Sequence, residues 1–203
     1  FIDCLSCSQQ GSYYLILRRI AMEDFMTGTY VDDYPFVNAT FSDIYEESER
    51  LCAYIIMQLK ESGATISFAE SCTGGLLSAT LVGVSGSSDV FNESYVTYAN
   101  DAKMRLLGVP AEVLASQGAV SYETANYMAK GVANAAKSDI GVGITGIAGP
   151  TGGTDDKPVG LVYIGVCVDG RVRVLRCNFK GDRLSVRLKA VNKAIKMICD
   201  EIK

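Results

Sequence analysis

A hydroxyl, an amine and a phenol have the spacing to do chemistry in this chain: Ser71, Lys103 and Tyr98. Ser71 lies in the run Ala69-Glu70-Ser71-Cys72-Thr73-Gly74-Gly75. A strand-like segment (Thr65-Ile66-Ser67-Phe68) precedes it, and a helix-like segment from Leu76 to Val82 follows. A residue at such a junction meets a helix N-terminus, whose unpaired N–H groups and partial positive charge favour a developing anion. Serine is a poor nucleophile near neutral pH and needs a base. The chain contains no histidine, so that base is not imidazole. Thr73, Gly74 and Gly75 permit close backbone approach and are candidate oxyanion donors. One such donor is worth about 3–4 kcal/mol of transition-state stabilisation. Ser71 equally suits the plainer role of helix cap.

Lys103 falls in Asn100-Asp101-Ala102-Lys103, in the first turn of a predicted helix that Asn100 caps, and Asn100 is also a candidate substrate contact. A cation there is disfavoured by the helix dipole, and burial would disfavour it further. Both effects favour the neutral amine that a lysine base requires. Nearby Asp101 acts in the opposite sense, and an ordinary surface lysine fits the same pattern. Tyr98, upstream at a strand end, could orient the lysine or pass a proton. A packed strand aromatic is the alternative.

The segment from Thr145 to Thr154 follows an apolar strand and holds four glycines with no bulky core side chain after Ile147. It reads as a ligand-facing loop, with Thr145, Gly146 and Gly149 as candidate contacts, or as a flexible hairpin. Gly141-Val142-Gly143-Ile144-Thr145-Gly146 matches G-x-G-x-x-G literally. Its glycines lie within the strand and a Pro/Gly loop follows instead of a helix, so it is not a dinucleotide fingerprint.

The elements that must position these residues follow from capping and periodicity. Ser42 or Asp43 can cap a helix with apolar positions Ile44, Leu51, Ile55, Ile56 and Leu59, ended by Gly63. Strands are predicted at 64–69, 94–99, 139–146, 159–168 and 171–179, the last two joined by the hairpin pair Asp169-Gly170. Pro110 opens a short helix that Gly118 closes, and Ser121 caps a longer one. A final helix from Asp182 carries an apolar stripe at Leu184, Leu188, Val191, Ile195, Ile198 and Ile202. The order predicts a layered α/β/α domain with a mixed parallel and antiparallel sheet. Residues 1–41 read as an N-terminal extension and 42–203 as the body.

Composition narrows the classes. The 203 residues suit one domain plus a tail, and 48% apolar content supplies a core. A net charge of -4 and the lack of basic clusters with interleaved aromatics argue against nucleic acid. No apolar run approaches the roughly 18–20 residues that span a bilayer. Tyr13 to Leu17 is apolar but short, and Arg18-Arg19 follows, so it does not read as a signal peptide. Seven scattered cysteines suggest reduced thiols and a cytoplasmic protein. Cys4 and Cys7 form a C-x-x-C pair with no second pair or histidine to complete a zinc site, and no metal is expected. Asn38-Ala39-Thr40 and Asn92-Glu93-Ser94 are formal glycosylation sequons without meaning in a reducing compartment.

Several segments together resemble the C-terminal domain of the CinA competence-damage protein family, also known as nicotinamide mononucleotide deamidase. They are 69–75, Gly86-Ser87-Ser88, Val96-Thr97-Tyr98-Ala99-Asn100 with Lys103, Gly118-Ala119-Val120-Ser121, 143–150 continuing to Lys157-Pro158-Val159-Gly160, and Gly181-Asp182-Arg183. The resemblance covers about residues 44–203. It implies a metal-free and cofactor-free amidohydrolase that converts nicotinamide mononucleotide to nicotinic acid mononucleotide and ammonia. It maps the family's catalytic serine, tyrosine and lysine onto Ser71, Tyr98 and Lys103. Thr145, Gly149 and Arg183 are candidates for the ligand's phosphate. Residues 1–41 are far too short for the N-terminal domain that many relatives carry. The expected partner is a small nucleotide substrate, with a homodimer as the default assembly.

Two rival readings remain at this point. Short-chain dehydrogenases also use serine, tyrosine and lysine, but through Y-x-x-x-K, which the chain lacks. A non-catalytic module could hold a nucleotide in the same pocket or recruit a partner.

Overall fold

The computed structural model describes residues 31–32 and 40–202. The Cys4/Cys7 pair, the Tyr13–Leu17 run, the Asn38 sequon and most of the 1–41 extension lie outside them.

Thr40, rather than Ser42 or Asp43, caps the first helix, α1 (Phe41–Ser62). Its Oγ accepts from the Asp43 N–H at 3.2 Å, and the Asp43 carboxylate accepts from the Thr40 N–H at 2.8 Å. This reciprocal capping box satisfies two N–H groups at once, which Ser42 could not do. Gly63, in the left-handed conformation, ends α1 as expected.

The remaining elements follow in order. They are β2 (Ile66–Glu70), α2 (Leu76–Val82), a single 3₁₀ turn (Ser87–Asp89), β3 (Phe91–Val96), α3 (Asn100–Leu107), α4 (Ala111–Ser116), α5 (Tyr122–Ala136), β4 (Ile140–Gly146), β5 (Leu161–Val168), β6 (Arg171–Asn178) and α6 (Arg183–Glu201). The short strand β1 (Val31–Asp32) pairs in parallel with β6. The sheet order is β1-β6-β5-β4-β2-β3. β4, β2 and β3 run parallel, whereas β4-β5 and β5-β6 are antiparallel. Asp169 and Gly170 both take positive φ at the β5-β6 turn, as a two-residue hairpin requires.

Helices cover both faces. The core of one face gathers Ile55 and Leu59 of α1, Val191, Ile195 and Ile198 of α6, and inward residues of the sheet. Met128 and Val132 of α5 join Leu107, Val109 and Leu114 on the other. The layered α/β/α architecture with a mixed sheet is therefore the observed one.

Three local expectations change. β3 begins at Phe91 and ends at Val96, so Thr97 and Tyr98 are free of the strand and turn toward α3. Ala99 is the cap of α3 and Asn100 its first helical residue; Asn100 makes no capping bond. Leu184 is exposed in the first turn of α6, where Val186 takes the buried position.

The glycines of the G-x-G-x-x-G match have a packing explanation. A Cβ on Gly141 would strike the Ala129 carbonyl, and one on Gly143 would lie 2.6 Å from the Ala129 nitrogen. Helix α5 thus lies directly on β4, and these glycines serve that close packing. Among the described residues, no helix is long and apolar enough to cross a membrane.

Candidate active site

β2 delivers Ser71 to the end of a central strand, where its N–H donates to the Ile144 carbonyl of β4 at 3.0 Å. α3 delivers Lys103 from the neighbouring segment. Lys103 Nζ lies 3.0 Å from Ser71 Oγ, 2.7 Å from the Thr97 carbonyl oxygen and 3.3 Å from that of Tyr98. Ser71 is 8% exposed and Lys103 1%. Burial pushes the lysine below its ordinary value; the nearby Cys72 thiol opposes this as a smaller influence.

An ammonium could donate to all three oxygens; the contacts also accommodate an uncharged amine, the form that burial favours. A neutral amine has two N–H donors and one lone pair. The Thr97 and Tyr98 carbonyls can only accept, so they take the two N–H groups. The lone pair is then left facing the Ser71 hydroxyl, the geometry a general base needs.

The turn after Ser71 differs from expectation. The Gly74 N–H donates to the Ser71 carbonyl at 3.2 Å. The N–H groups of Gly75, Leu77 and Ser78 all donate to the Glu70 carboxylate, at 3.0, 3.1 and 2.9 Å. Gly74 and Gly75 are therefore not open donors: the Ser71 carbonyl takes the first N–H and the buried Glu70 carboxylate the second. Among the described residues, the Cys72 and Thr73 N–H groups donate to no backbone carbonyl. Burial pushes the Cys72 thiol up to about 12, so it stays protonated beside Ser71. The Arg187 guanidinium donates to the Thr73 carbonyl at 2.6 Å and fixes the far side of the turn.

A cleft of about 260 Å³ opens over Ser71 and Lys103. Tyr98, Thr145, Gly146, Gly149 and Arg183 line it with them, whereas Thr73, Gly74, Gly75 and Asn100 do not. The Thr145 hydroxyl donates to the Ala119 carbonyl at 2.6 Å. Arg183 donates to the Gly149 carbonyl at 2.7 Å and to the Tyr98 hydroxyl at 3.2 Å. Tyr98 is 64% exposed, and its carbonyl, not its phenol, meets Lys103. The expected phenol contact with the lysine is absent because Tyr98 has left the strand and turns its ring to Arg183 at the cleft mouth.

Sequence reasoning missed the Thr97 carbonyl, the Ala119-Val120 wall, and the Glu70 and Arg187 braces. A backbone carbonyl leaves no trace in side-chain type. Glu70 did leave one, as the single acid in an otherwise apolar and small-residue stretch.

Comparison with known proteins assigns the chain. Residues 48–202 match the family model described as the CinA C-terminal domain. A CinA-like protein of Citrifermentans bemidjiense is 43% identical over 193 residues, covering 89% of this chain and 44% of that protein. A competence-damage inducible protein of Clostridium acetobutylicum is 56% identical over 144 residues, covering 71% of this chain and 35% of that one. The chain thus spans between about a third and under a half of the length of these curated relatives. The crystal structure of a competence/damage inducible protein from Agrobacterium tumefaciens superposes with a TM-score of 0.75 at 40% identity, covering 76% of this chain and 94% of that one. A CinA superfamily structure from Klebsiella pneumoniae gives 0.74 at 33% identity, covering 76% and 97%. By sequence and by fold, this chain belongs to the CinA C-terminal domain family.

Proposed function

We propose that the cleft is the active site of an amidase that converts nicotinamide mononucleotide and water to nicotinic acid mononucleotide and ammonia. The observation that carries this reading is the buried Lys103 amine 3.0 Å from the Ser71 hydroxyl. Among the described residues it has no salt-bridged carboxylate.

Ser71 Oγ attacks the carboxamide carbon while its proton passes to Lys103 Nζ. The tetrahedral oxyanion meets the N–H group of Cys72, the cleft-lining turn residue whose N–H has no carbonyl partner. Collapse breaks the C–N bond, and protonated Lys103 gives its proton to the departing amine, which leaves as ammonia. Water then attacks the ester as neutral Lys103 takes its proton, the bond to Ser71 Oγ breaks, protonated Lys103 returns the proton to Oγ, and the carboxylic acid and free Ser71 result. Cys72 is unsuited to the nucleophile's role because burial keeps it a thiol. Arg183 is the one side chain of the cleft lining that carries a permanent charge, which suits a phosphate monoester at the mouth.

The test is ammonia release across a small panel of nicotinamide compounds, with and without chelator. Chelator-insensitive release from the mononucleotide, lost in Ser71→Ala, supports the reading. No release from any member of the panel sinks it.

A further inference from the structure

Glu70 is a buried charged residue that this chemistry leaves unused. It directly precedes Ser71, is fully buried and does not line the cleft. Its carboxylate accepts four hydrogen bonds, all from neutral donors. Oε2 takes the Gly75 and Leu77 N–H groups at 3.0 and 3.1 Å. Oε1 takes the Ser78 N–H at 2.9 Å and the Ser78 hydroxyl at 2.6 Å. The Ser78 hydroxyl also meets Ser94 Oγ of β3 at 2.7 Å. The Glu70 carbonyl in turn accepts from the Thr97 N–H at 2.8 Å.

Two consequences follow from this arrangement. The chain runs from Glu70 through residues 71–74 to Gly75, and the carboxylate closes that turn into a ring. The same residue's backbone anchors Thr97, whose carbonyl holds Lys103. Both reacting groups are thus located from one position. The carboxylate also consumes the donors at the start of α2, so the turn's remaining open N–H groups are those directly after Ser71.

We propose that Glu70 is a positioning residue: by tying the 71–74 turn to α2 it holds Ser71 Oγ against Lys103 Nζ and leaves the Cys72 N–H group to the oxyanion. The proposal rests on the reading of Ser71 as nucleophile. Glutamine at this position must present an NH₂ group to one donor set. Facing Ser78 is the milder choice, because the hydroxyl can reverse and accept. One conflict with the Ser78 N–H then remains, which displaces the turn without removing the side chain.

The experiment compares the full chain with Glu70→Gln, Ser78→Ala and, as a core control away from the cleft, Ile198→Val. It measures kcat and KM for ammonia release, the rate of Ser71 phosphonylation by a fluorophosphonate, and melting temperature. Glu70→Gln is expected to lower both kcat and labelling by about 10²-fold, the scale of a roughly 1 Å misplacement. KM should move by less than about threefold, because an interaction outside the cleft does not bind substrate. Ser78→Ala should show a smaller loss of the same kind, and Ile198→Val none beyond a lower melting temperature. Labelling and kcat within about threefold of wild type in both Glu70→Gln and Ser78→Ala would overturn the proposal. So would a loss confined to KM. Should Glu70→Gln fail to fold, Ser78→Ala decides alone. If wild type labels at Ser71 but deamidates nothing, the substrate assignment falls while labelling still reports on Glu70. If Ser71→Ala labels like wild type, both ideas fall.

Discussion

Glu70 and Lys103 are both charged in sequence and both buried, and their surroundings differ. Four neutral donors surround the Glu70 carboxylate, as suits an anion at a helix start. Lys103 sits among carbonyl oxygens and one hydroxyl, and its burial depresses its basicity. The difference separates architecture from reactivity. A buried charge with saturated partners stiffens the fold. A buried amine whose charged state is disfavoured, next to a hydroxyl, suits the role of proton acceptor that we propose for it.

The largest effect that could break this contrast is loss of the pair itself. Ser71→Ala and Lys103→Met should each lower kcat for ammonia release by about 10⁴-fold or more, and the double variant should be little worse than either single one. Lys103→Arg should not rescue, since guanidinium stays protonated. Full additivity in a steady-state assay of the double variant would mean the two groups do not act as a unit.

A pH profile sharpens the same point. The base works when neutral, so kcat/KM should rise about tenfold per pH unit and level off above the Lys103 pKa. Because burial lowers that pKa, the midpoint must fall below the ordinary lysine value of 10.5. A midpoint at or above it would contradict a desolvated amine.

Arg183 tests the mouth of the cleft against its floor. Arg183→Ala should raise KM for the mononucleotide by about 10–100-fold, the worth of hydrogen bonds to a charged group, and leave kcat nearly unchanged. The matching nucleoside, which lacks phosphate, should not feel the change; equal losses for both would remove the phosphate from Arg183. The smallest effect is expected from Tyr98→Phe. Its hydroxyl touches Arg183 and not Lys103, so the variant should lose only about threefold, mostly in KM. A kcat loss near that of Lys103→Met would restore the phenol to the proton path.

The two glycine-bearing segments show how far sequence reading reached. Both were expected to face a ligand. The 145–154 segment does supply cleft-lining residues, Gly146 from the end of β4 and Gly149 and Gly152 from the loop beyond it. The Gly74-Gly75 pair does not, because Glu70 draws the chain around itself. Local pattern gives the same signal for both, as glycine marks backbone freedom without saying what the freed N–H groups meet. The helices and strands from Phe41 onward were readable to within a few residues, whereas β1 and the 3₁₀ turn at Ser87–Asp89 were not. β3 was the poorest, since its exposed outer positions carry no apolar alternation to mark its start.

Residue order alone determined the alternation of helices and strands, the missing imidazole, and the serine-bearing strand-to-helix turn. Those depend on periodicity, capping chemistry and composition, which are local properties. Which groups meet was decided only in three dimensions. Lys103 reaches Ser71 because β2 and β3 are parallel neighbours and α3 folds back from the second toward the first. Tyr98 turns outward and Glu70 inward for the same kind of reason. Contact between groups far apart in the chain is set by strand register and helix packing, which no short window of sequence contains.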